Sequence, residues 1–128
     1  MLKLRTAALA SALTAAAFMT ACGSDDDTYG AIAFSYNTTR AAIVTGGWTQ
    51  SEANEEARDR CDASDCTVVL QFRECGALSA GTLPSGRLII GVAEGRSTLE
   101  AQTAANSACT TNGGVSCRDV PGLPPQCN

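Results

Sequence analysis

The chain contains no histidine, a single lysine (Lys3) and few aromatic residues: one Trp, two Tyr and three Phe among 128. Without histidine, neither a Ser-His-Asp nor a Cys-His nucleophile can be assembled, and the commonest metal ligand is missing. Long apolar runs are also scarce. The one stretch of note, Ala7 to Met19, has 13 residues, short of the ~20 that a membrane-spanning helix requires. Positive charge is in deficit as well. The formal net charge is −4, whereas nucleic-acid-binding surfaces are basic, so no nucleic-acid partner is expected. With so few aromatics, a core has to come from Ala, Val, Ile, Leu and cystine, and the length allows one small domain.

What is present begins with an address. Lys3 and Arg5 precede the apolar stretch, which ends in Met19-Thr20-Ala21-Cys22. A charged start, a short apolar segment and a small-residue end are the parts of a secretory signal peptide. The last four residues resemble a bacterial lipobox, although most lipoboxes carry Leu where Met19 stands. The resemblance implies that Cys22 is lipidated and becomes the mature N-terminus, tied to the membrane by that lipid. The alternative is ordinary cleavage near Ala21, with Cys22 left as a free thiol. Residues 1–21 are therefore read as a lipoprotein signal peptide, 22–28 as an acidic tether and 29–128 as one domain. Loss of Lys3 and Arg5 takes the formal charge from −4 to −6 and leaves seven Arg and no Lys, which removes Schiff-base chemistry. A tether of six residues reaches at most ~20 Å, so the domain sits close to the membrane. Asp25, Asp26 and Asp27 in a row lack the spacing of a calcium loop.

Setting Cys22 aside leaves Cys61, Cys66, Cys75, Cys109, Cys117 and Cys127. An even set in a short exported chain reads as a disulfide framework, with 15 possible pairings. Four residues separate Cys61 from Cys66 and seven separate Cys109 from Cys117. Neither is the two-residue spacing common in structural zinc sites, so no metal is expected.

An internal repeat organises the rest. At an offset of 48, Gly47, Thr49, Glu52, Ala53, Ala57 and Cys61 meet Gly95, Ser97, Glu100, Ala101, Ala105 and Cys109. Thr49 and Ser97 read as N-caps, with Glu52 and Glu100 three positions on as the reciprocal partners of a capping box. The small residues recurring every four positions give each helix a face suited to close packing on a sheet. Two strands around a turn precede each helix, with Gly30-Ala31-Ile32 matching Gly76-Ala77-Leu78 at an offset of 46. Thr67 to Phe72 is a strand after the first helix. Arg118-Asp119-Val120 begins another after the second but runs into Pro121, Pro124 and Pro125, so it is short, on an edge or lost. The expected fold is α+β: two hairpin-helix-strand units, 29–75 and 76–128, forming a mostly antiparallel sheet with two helices on one face. Within that repeat, Cys61–Cys66 and Cys109–Cys117 would close the helix-to-strand loops, and Cys75–Cys127 would join the units.

The order Tyr29-Gly30-Ala31-Ile32-Ala33, the Glu52-Ala53 helix ending in Cys61, then Cys66-Thr67-Val68-Val69 and Cys75-Gly76-Ala77-Leu78 resembles the bacterial family known as domain of unknown function 4189. The resemblance runs from Tyr29 to about Cys117 and departs where Pro121 to Pro125 replace an apolar last strand. It implies an exported, cysteine-paired domain and no assigned reaction or cofactor. For some relatives it implies partner binding at the cell envelope.

The acids have bland duties. Glu52 and Glu100 cap helices, Glu55, Glu56 and Asp59 lie on a solvated helix face, and Asp62 and Asp65 are loop acids. A carboxylate-based cell-wall hydrolase is the least favoured reading, because a polysaccharide cleft is hard to build in ~107 tightly stapled residues. A non-enzymatic envelope lipoprotein without cofactor is expected, acting as a protein- or ligand-binding module, with inhibitor or immunity type as the sharpest version. The alternative is a structural envelope lipoprotein with no discrete ligand. Trp48, the sole Trp, either packs over the first helix or anchors a partner, and Arg96 is its counterpart in the repeat. The acidic balance suits a basic extracytoplasmic protein partner.

Overall fold

The residue before each helix sets where it starts. In a computed structural model describing residues 27–128, Thr49 and Ser97 are extended and their hydroxyls accept from the N–H groups of Glu52 and Glu100, both at 3.1 Å. These bonds satisfy backbone donors that a helix start leaves unpaired. They open α1 (Gln50–Cys61) and α2 (Thr98–Thr111). In the first cap the Glu52 carboxylate reaches back to the N–H of Trp48, one residue before the cap. The Glu56–Arg60 pair forms on the outer face of α1. Lys3, Arg5, Cys22 and the lipobox lie outside the described residues.

Among the described residues, seven strands accompany the helices: β1 (Tyr29–Phe34), β2 (Ala41–Gly47), β3 (Thr67–Phe72), β4 (Cys75–Thr82), β5 (Leu88–Gly95), β6 (Val115–Asp119) and β7 (Gln126–Cys127). All ladders are antiparallel, and each unit runs hairpin, helix, strand. The α+β class of the sequence reading holds, and the order hairpin, helix, strand occurs twice. The strands form two sheets rather than one, in the orders β2-β1-β3 and β5-β4-β6, with β7 beside the start of β4.

The placement of the helices follows from β1, whose last five residues are all buried. Ala31 and Ala33 pack with Ala42, Val44, Ala53, Ala57 and Cys61, so this small-residue face takes α1. Ile32 and Phe34 point the other way and join Ile43, Phe72, Leu78 and Ile90. On the second sheet Ala77 packs with Ala101 and Ala105 of α2, while Leu78 faces the first sheet. The layers are therefore α1, first sheet, second sheet, α2. The expected arrangement of both helices on one face is corrected here. Stacking both helices on one side would leave Ile32, Phe34 and Leu78 in water, and burying them against each other is the larger hydrophobic gain.

The covalent links are Cys61–Cys66, Cys75–Cys127 and Cys109–Cys117. The two short ones close the helix-to-strand loops, as the repeat suggests. Cys75 opens β4 and sits opposite Cys127 in the β4–β7 ladder, so the expected link between 29–75 and 76–128 forms and lies within the second sheet. The last strand survives as the short edge β6, and Val120 and Leu123 close the turn that follows against the inter-sheet layer.

Candidate functional site

Strand pairing brings one end of the sandwich together. Tyr29 is opposite Gly47, and Cys75 is opposite Gly95. The Phe72 ring fills the space beside both Gly30 and Gly76, so β1 and β4 begin at the same end, and β2 and β5 finish there. Asn128 ties this end across the sheets. Its Oδ1 accepts from the Gly46 N–H at 2.9 Å, its Nδ2 donates to the Arg73 carbonyl at 3.0 Å, and its own N–H donates to the Glu74 carbonyl at 2.8 Å.

Trp48 stands at this end and is 75% exposed, which overturns the packing alternative. The reason is local. A residue just before an N-cap commonly packs onto the first helical turn, but here Gly47 already lies against Ala53, with no room even for a β-carbon. The strand therefore delivers its backbone to the helix and turns the Trp48 ring into solvent. Arg96 occupies the equivalent corner after β5 and is exposed. The two residues share an end but sit on opposite outer layers. Leu99, on the first turn of α2, is 77% exposed. It had no signal in the sequence beyond being a large apolar residue among polar neighbours.

The end is predominantly acidic. Glu52, Glu74, Glu94 and Glu100 surround it, with Arg73 and Arg96 as the cations. One Glu94 oxygen accepts the Arg73 N–H at 2.6 Å. The Arg73 guanidinium lies 4.2 Å from the centre of the Tyr29 ring and pairs with Asp27 at 2.9 Å. Arg73 is thereby engaged, and Trp48 is left as the free aromatic surface of this end.

The family model described as domain of unknown function (DUF4189) matches residues 29–121. The chain belongs to this family. No curated protein and no solved structure matches it. The DUF4189 span covers both hairpin-helix-strand units and five of the six disulfide cysteines, while Cys127 and Asn128 fall beyond it.

Elsewhere in this DUF4189 domain the polar groups hold structure. The buried Ser35 hydroxyl donates to the Asp65 carboxylate and accepts from the Thr38 N–H at 3.1 Å and the Thr38 hydroxyl at 2.8 Å. The other Asp65 oxygen accepts the Asn37 N–H at 3.2 Å. Asp65, read from sequence as a loop acid, thus locks the β1–β2 turn, and the Ser35 bond in particular holds its carboxyl below the usual range. All six described cysteines are oxidised, which points to an oxidising, extracytoplasmic compartment. Among the described residues no helix is long and apolar enough to cross a membrane, and no three His, Cys, Asp or Glu side chains converge to hold a metal ion.

Proposed function

We propose that this protein is an exported envelope lipoprotein, anchored by a lipid on Cys22, that acts as a non-enzymatic binding module of inhibitor or immunity type for a basic extracytoplasmic protein. The observation that carries the reading is the exposure of Trp48 on a scaffold fixed by three disulfides. Holding a large aromatic in water costs stability that burial would recover, and a rigid aromatic is the side-chain type that dominates interface energetics. Rigidity also lowers the entropy lost on association. The acidic end gives the partner its sign: a Lys or Arg over the indole face gains cation–π attraction and lies near Glu52, whose carboxylate accepts the Trp48 N–H. Arg96 and Leu99 would form the flank on the second layer.

The test is a pull-down from envelope and competitor-cell extracts with the mature, oxidised protein. One stoichiometric partner is expected, lost on Trp48→Ala, with an association rate that falls as salt rises. Recovery of no partner from any extract would move the protein to a passive envelope role. Intact mass of the mature protein, beside that of Cys22→Ser, tests the lipid independently.

A further inference from the structure

We infer that the outer edge of β3 is a docking site for an extended, acidic peptide segment of another protein, added as a fourth strand to the first sheet. In the order β2-β1-β3 the strand has β1 on one side and, among the described residues, no strand on the other. A sheet edge presents a row of unpaired N–H and C=O groups, and proteins usually blunt such edges with charge, proline, bulges or cover. The second unit does this: β6 carries Arg118 and Asp119 and runs into Pro121. β3, with the sequence Thr-Val-Val-Leu-Gln-Phe, has no charge and no proline, and Val68, Val69 and Leu70 in succession are only half-buried. It has one register shift, at Val69 between Val68 and Leu70.

The helix covers only the start of the same strand, where Val68 packs against the cluster that α1 joins. α1 seats its small face on the residues of β1 and β2, and a groove of about 590 Å³ runs along β3 between Thr67 and Leu70, with Asn54 and Arg58 as its wall. The Cys61–Cys66 bridge fixes the end of α1 to the start of β3, so the groove is held open. These features together describe strand addition. The backbone edge supplies affinity, and the groove receives alternate side chains of the incoming strand. Arg58 sets the charge: it is exposed at the groove wall and forms no ion pair among the described residues. A carboxylate on the incoming strand completes it. A second copy of this chain is a poorer occupant, because its β3 brings no carboxylate to Arg58. The site is on the sheet edge opposite β2, and so opposite Trp48, and does not depend on the binding reading above.

The test uses the mature oxidised protein and two blocked synthetic peptides, Thr-Val-Glu-Val-Thr-Val and the same sequence with Lys in place of Glu. Amide hydrogen exchange at Thr67–Gln71 is followed by NMR. At saturating acidic peptide, exchange is expected to slow about tenfold or more at alternate amides of β3, as edge groups gain partners. The acidic peptide should bind about threefold to fivefold more tightly than the basic one, the scale of an exposed ion pair. Arg58→Glu should reverse that preference, and Val69→Lys should abolish binding while circular dichroism stays unchanged. Absence of protection with either peptide overturns the inference, as does equal affinity for the two. Protection that appears without peptide and grows with protein concentration overturns it in favour of self-pairing.

Discussion

A β-carbon placed on Gly76 would stand 2.5 Å from the ring of Phe72. The same ring closes over Gly30, the matching residue of the first unit, so one aromatic side chain occupies the space vacated by two equivalent glycines. Phe72 is 1% exposed and is the largest fully buried side chain among the described residues. Gly76→Ala should therefore destabilise through overpacking, by about 1–3 kcal/mol. Phe72→Ala should cost about 3–5 kcal/mol through the cavity it leaves. The decisive measurement is the double variant Gly76→Ala with Phe72→Ala in denaturant unfolding. A loss smaller than the sum of the single losses shows that the two positions share one volume; strict additivity would show that they do not.

Trp48 gives a prediction that needs no partner. As the sole Trp it is the only source of indole emission, and at 75% exposure the native spectrum should already be that of a solvated ring. Guanidinium unfolding should shift it little while circular dichroism records the full transition. Trp48→Ala should change stability by no more than about 0.5 kcal/mol, as surface substitutions do. A strongly blue-shifted native spectrum would place the ring in the core.

Local signals were legible in the sequence, and the meeting of the two units was not. The capping residues Thr49 and Ser97 and the small faces Ala53-Ala57-Cys61 and Ala101-Ala105-Cys109 act within one turn of their own helix, so spacing alone locates them. The two-sheet arrangement depends on what covers the second face of β1. Small residues at 31 and 33 with large ones at 32 and 34 already indicate two different neighbours, a close helix and a thicker apolar layer. Periodicity does not say that the layer is the other sheet. Trp48 is exposed because Gly47 takes its place against Ala53, a contact across a strand-to-helix turn that spacing does not encode. The two-residue β7 follows a run of prolines and carries no strand pattern at all; its place comes from Cys127 and Asn128.

The Ser35–Asp65 lock makes stability depend on acid. Hydrogen bonds from Ser35, and then from the Asn37 N–H, hold the Asp65 carboxyl below its ordinary value of 3.8. The unfolded chain therefore binds the proton more readily than the native one. The stabilisation is complete above the unfolded value and is lost as pH falls from there through the lower native value. Asp65→Asn keeps the shape but weakens both bonds, so its midpoint in denaturant should lie below wild type at pH 7. The gap should narrow below pH 3.8 and close once Asp65 is protonated. A gap independent of pH between 7 and 2 would show that the charge of Asp65 has no part in holding the turn.

The three disulfides should differ in what they contribute. Their sequence separations are 5, 52 and 8 residues. In the chain-entropy account a link restrains the unfolded ensemble more as its loop lengthens, giving about 4 kcal/mol for Cys75–Cys127 and about 2 kcal/mol for each local bridge. The β4–β7 bridge also holds the last strand and, beside it, Asn128, whose bonds reach Gly46, Phe72, Arg73 and Glu74. Replacing Cys75 and Cys127 by Ser should lower stability more than either other paired replacement and should free the Gly46 and Asn128 amides for exchange. The two local replacements should loosen only their helix-to-strand loops. Unfolding midpoints of the three double variants, read with amide exchange at Gly46, check the order. If the local pairs cost more than Cys75–Cys127, native packing around α1 and α2 rather than unfolded-state entropy sets the contribution of each bridge.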